Sequence, residues 1–99
     1  MIPDDYEIEL TLVRLVTDRG ADKTVCPSEV ARALGGPHPD GWGPLMQPVR
    51  RQAVRLMKQG RIAILRKGKV VADPDDFRGV YRLSLPRDAD QGPGNTDSV

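Results

Sequence analysis

"VRRQAVRLMKQGRIAILRKGKVV", residues 49–71, changes its apolar period half-way along. Before Gly60 the apolar residues recur at helical spacing. At 100° per residue, Leu45, Met46, Val49, Ala53, Leu56 and Met57 share an arc of roughly 120°, with Gln47, Arg51, Arg55 and Lys58 opposite. After Gly60 the period is two. Residues 61–66 read as a strand, Lys67–Gly68 as a tight turn, and residues 69–72 as a short extended return. The stretch therefore predicts an amphipathic helix that runs into a β-hairpin. The helix should begin between Pro44 and Pro48. Pro48 has no N–H for the carbonyl of Pro44, so an irregular first turn is expected.

Upstream, "PDDYEIELTLVRLVTDRG" (3–20) carries Asp4 and Glu7 at capping-box spacing. Ile8, Leu12, Leu15 and Val16 follow on one face, and Gly20 is a stop signal, which predicts a helix over 4–18. Tyr6, Leu10 and Val13 fall on other faces, so contact from more than one side is expected. "TVCPSEVARALGG" (24–36) predicts a second helix, with Pro27 at its first position, Glu29 near its positive end and Gly35 closing it. Thr24 and Val25 fit a short extended piece before it. "GGPHPDGWGP" (35–44) reads as a loop. Downstream, "DPDDFRG" (73–79) is a second turn region and "VYRLSLP" (80–86) a final strand with Tyr81, Leu83 and Leu85 on one face. "RDADQGPGNTDSV" (87–99) has no apolar period and is expected to be a disordered tail.

Three helices followed by a β-hairpin form the order of an α+β winged helix-turn-helix, here a domain over residues 1–86. The sheet would cover one side of the three-helix core and leave the outer face of the third helix open. "TVCPSEVARALGG", the tryptophan followed by "LMQPVRR", "GRIAILRKGKVV" and "DPDDFRGVYRLSL" also resemble a bacterial family of small uncharacterised proteins, a domain of unknown function. The resemblance covers about residues 8–86. It implies the same winged-helix fold and brings no activity with it.

Charge is what points towards function. The 99 residues carry a formal net charge of only +1. Residues 41–72 nevertheless hold eight basic and no acidic groups, between flanks of −4 (1–40) and −3 (73–99). Two physical readings compete. An amphipathic surface helix needs polar residues opposite its core, and Arg and Lys are good helix formers, so the block could be solvated or neutralised by the flanks. A merely solvated face usually mixes signs, however, and this one has no acids.

The functional expectation is therefore a nucleic-acid-binding domain, DNA first, with phosphate binding ahead of base reading. The third helix would lie in a groove and the hairpin turn on the backbone. The expected contacts are Gln47, Arg50, Arg51, Arg55, Lys58, Arg66, Lys67 and Lys69. Arg suits guanine, and Gln47 or Gln52 suits adenine. The Gly/Pro loop in place of a tight turn and the acids Asp73, Asp75 and Asp76 in the hairpin region argue against a conventional reader of DNA. The alternative is a protein docking module anchored on Trp42 and Met46.

Other classes find little support. The lone Cys26 cannot form an internal disulfide and is expected as a buried helix cap. His38 sits between prolines as an exposed loop residue. There is no nucleophile with a partner base, no phosphate-binding glycine motif and no metal set, so neither enzyme activity nor a cofactor is expected. With no spanning segment or leader, the chain reads as cytoplasmic, a monomer or weak homodimer.

Overall fold

A computed structural model describes residues 3–87. Helix α1 spans Asp5–Arg19, α2 Pro27–Gly35, the one-turn α3 Pro39–Trp42 and α4 Met46–Lys58; strands are β1 Ala63–Arg66, β2 Lys69–Val70 and β3 Arg82–Ser84. The fold is α+β, with three main helices and a small antiparallel sheet, an arrangement compatible with a winged helix. The expected tail lies outside the described residues apart from Arg87.

The capping box forms as read: the Asp4 carboxylate accepts the Glu7 amide at 2.8 Å and starts α1. Ile8, Leu12 and Val16 are fully buried, and they meet Val49, Ala53 and Leu56 from the apolar arc of α4. Contact from more than one side does occur, since α2, α4 and β3 all pack on α1 and Val13 lies half-buried against the core. Tyr6 and Leu10 take no part in it and stay 65% and 48% exposed.

At the other end of α1, Arg19 reaches Glu29 and the Thr24 carbonyl, and Arg82 also reaches Thr24. Glu29 accepts the Cys26 amide at 2.8 Å. That bond, with Arg19 adding to it against the cost of burial, holds the Glu29 carboxyl below its usual range. Its contribution to stability is present at neutral pH and fades as pH falls through the lowered folded value. Cys26 occupies the cap position as expected but is half-buried, with Sγ 3.0 Å from Ser28 Oγ.

The Gly/Pro segment departs from the sequence reading. It is ordered into α3 and a 3-10 turn, Gly43–Leu45, that runs straight into α4. His38 caps α3, its Nδ1 accepting the Asp40 amide at 3.1 Å. The first turn of α4 absorbs Pro48, since amides there need no helical acceptor. Gly35 and Gly41 let α2 and α3 approach backbone to backbone: a Cβ on either would collide with the carbonyl of the other.

The sheet order is β2-β1-β3, with β1 paired antiparallel to both neighbours. The extended piece at Val25 forms a bridge to Leu83 on the outer side of β3, with N···O distances of 2.7 and 2.8 Å. β1 thus sits between β2 and β3 with Val25 beyond β3, so the final strand and the extended piece read from the sequence join the hairpin in one sheet. Lys67 takes φ +53 and Gly68 φ +83 in the turn between β1 and β2.

The long return from β2 to β3 is tied to the core by Phe77, 7% exposed, whose ring meets Tyr81 edge-on at 5.2 Å. The Tyr81 hydroxyl is buried with no partner among the described residues. Burial raises its pKa, and nearby Arg50 opposes the rise. Tyr81→Phe removes an unsatisfied polar group and is expected to stabilise the fold by about 1 kcal/mol, read as a rise in Tm of about 5 °C. The same burial makes the wild type lose stability as pH climbs past about 10, where the unfolded phenol ionises and the folded one resists. A Tm–pH profile on the Phe variant should lack that share of the alkaline loss.

Candidate nucleic-acid interface

The outward face of α4 forms one wall of a groove of about 660 Å³, with Gln47, Arg51, Arg55 and Lys58 along it and half-buried Val54 in its lining. The opposing wall is Pro74 and Asp75. Two local devices hold it there. Phe77 pins the segment to the core, and Asp73 folds it into an Asx turn by accepting the Asp75 amide at 2.9 Å. Asp75 then meets Lys58 at 2.6 Å.

The eight basic residues of the block divide into three kinds. Arg55 and Arg61 both pair with Glu9 of α1, at 3.5 and 2.7 Å, and Lys58 pairs with Asp75. Arg50 turns inward, although it was expected among the phosphate contacts. Its guanidinium lies 3.8 Å over the Phe77 ring and donates to the Phe77 carbonyl at 2.6 Å. Buried Phe77 offers it both a π-face and a backbone carbonyl acceptor, which together outweigh its exposure to water. Arg66 is likewise committed, donating to the Val80 carbonyl at 2.7 Å.

Arg51, Lys67 and Lys69 are exposed and have no carboxylate partner among the described residues. The groove brings together Gln47, Arg50, Arg51, Arg55 and Lys58, and does not include Arg66, Lys67 or Lys69, which belong to the hairpin. Val54, Gln59 and Pro74 line it without having been singled out in the sequence. Nor does anything in the sequence mark Glu9 as the partner of two arginines 46 and 52 positions later.

The residues of the docking alternative sit differently. Trp42 and Met46 are half-buried against the core, and the Arg32 guanidinium lies 4.9 Å over the Trp42 ring. Each therefore has packing partners within this chain.

With this geometry in place, the comparisons with known proteins fix the family. The chain belongs to the DUF3253 family. The family is described as a protein of unknown function, and its profile covers residues 5–86. No curated protein matches the chain. The match spans α1 to the end of β3, so groove and hairpin both belong to the DUF3253 domain. Among the described residues, no three His, Cys, Asp or Glu side chains cluster as metal ligands, and no helix is long and apolar enough to cross a membrane.

Proposed function

We propose that the chain is a winged-helix domain that binds nucleic acid, DNA first, through the outer face of α4 and the turn between β1 and β2. The element order supports the fold assignment: three packed helices, an extended bridge at Val25 beside β3, and a hairpin after the last helix. One observation carries the functional reading. The groove along α4 is lined by Arg51, Arg55 and Lys58, besides the inward-turned Arg50, and by a single acid, Asp75.

That acid competes with the ligand without closing the site. Lys58 and Asp75 are 51% and 59% exposed at their side chains, and exposed ion pairs are worth only about 0.2–1 kcal/mol. A phosphate can take Lys58 from Asp75 at that cost. Arg51 needs no release at all, and we count exposed Lys67 and Lys69 on the hairpin as further backbone contacts. Contacts of this kind recognise the backbone; Gln47, exposed at the first turn of α4, is the side chain to which we assign base reading.

The test is fluorescence anisotropy with a labelled random-sequence duplex at low salt. Asp75→Asn removes both the competitor for Lys58 and a repulsion against phosphate. It should tighten binding by about fivefold, the equivalent of about 1 kcal/mol. Absence of binding by both wild type and Asp75→Asn overturns the reading.

A further inference from the structure

The outer face of α1 takes no part in this groove, and it is apolar where the fold gives it nothing to cover. At 100° per residue, Tyr6, Leu10, Arg14 and Glu7 share an arc of roughly 100° opposite Ile8, Leu12 and Val16. Tyr6 is 65% and Leu10 48% exposed. Glu7, Leu10, Thr11 and Arg14 line a shallow depression of about 460 Å³. Charge is arranged around the leucine in opposite senses, acid towards the N-terminus and base towards the C-terminus. Arg14 has no carboxylate partner among the described residues, and the Glu7 carboxylate makes only a long contact of 3.4 Å with the Asp4 amide.

Such a surface is complementary to itself when reversed. Suppose a second α1 runs antiparallel across a two-fold axis at Leu10. Glu7 lies about 4.5 Å along the helix on one side of Leu10 and Arg14 about 6 Å on the other, so each Glu7 faces the other copy's Arg14. The two Leu10 side chains meet on the axis, and each Tyr6 covers a flank of the contact. We propose that this face pairs two copies of the chain through antiparallel α1 helices, with Leu10–Leu10 contact and reciprocal Glu7–Arg14 ion pairs.

One helix pair about 22 Å long falls short of the roughly 1,200 Å² typical of tight complexes, so the dimer is weak and concentration-dependent. The pairing uses no residue of the groove, and its test needs no nucleic acid. Sedimentation equilibrium of the full chain from roughly 10 μM to roughly 1 mM should show the mass rising from the 10.9 kDa monomer towards twice that value.

Leu10→Glu should abolish the rise while leaving Tm unchanged, because the residue is half exposed. Arg14→Glu should weaken association about tenfold, and adding Glu7→Lys in the same chain should restore it, since the pairs re-form with signs exchanged. If the capping role of Glu7 makes that double variant unstable, Leu10→Glu and Arg14→Glu still decide. A single monomeric species throughout the range, or association indifferent to both of those changes, overturns the proposal.

Discussion

Gly41→Ala should lower the melting temperature by about 15 °C, the equivalent of about 3 kcal/mol in a domain of this size. A Cβ at Gly41 would run into the Gly35 carbonyl oxygen, and a Cβ at Gly35 would meet the Gly41 carbonyl and lie 2.9 Å from Leu45 Cδ1. Backbone cannot move aside as a side-chain tip can, so α3 must lift away from the end of α2. The shift would pass through the 3-10 turn into the start of α4, and hence into the groove. Gly43 is the control: it has helical φ −54, and an added Cβ there meets nothing within 4 Å. Gly43→Ala should leave Tm unchanged or raise it slightly. A thermal melt by circular dichroism reads both. Equal Tm values for Gly41→Ala and Gly43→Ala would contradict the close approach.

The second large effect separates two neighbouring arginines. Arg51→Glu should weaken duplex binding by about thirtyfold, because it removes a phosphate contact and sets a like charge against the backbone. Its Tm should not change, since Arg51 is exposed and unpaired among the described residues. Arg50→Ala should do the reverse. It removes the guanidinium 3.8 Å above Phe77 and the donor to the Phe77 carbonyl, for a loss of about 2 kcal/mol in stability. Because Arg50 helps hold the segment that carries Asp75, its effect on binding should follow from unfolding and be small where the variant is still folded. Anisotropy and melting on the same two proteins distinguish the roles.

That contrast also shows where the sequence was legible. The arc of α4 depends on spacing alone, so its buried and exposed faces were readable, as were the Asp4–Glu7 capping box and the change of period at Gly60. The partner of a given arginine depends on tertiary placement. Adjacent Arg50 and Arg51 look equivalent in the chain, yet one lies against Phe77, 27 positions away, and the other does not. Glu9 shows no sequence signal for Arg55 or Arg61, because the α1–α4 crossing brings them together.

The Gly/Pro run misled for a related reason. Glycines that mark flexible loops by composition here permit a close approach between helices. Two of the three hairpin acids behaved as local chemistry suggests, with Asp73 forming the turn and Asp75 answering the basic block. What composition could not give was the single lysine, Lys58, that Asp75 selects.

Whether cations from α4 and the hairpin act together on a phosphate backbone is tested most directly by the salt dependence of duplex binding. Arg51, Arg55, Lys58, Lys67 and Lys69 together should give a slope of log Kobs against log salt of about −4.5, at roughly −0.9 for each phosphate contacted. Replacing Lys67 and Lys69 with alanine should flatten it to about −2.7. A wild-type slope near zero, or one unmoved by that double replacement, would contradict a shared phosphate-binding surface.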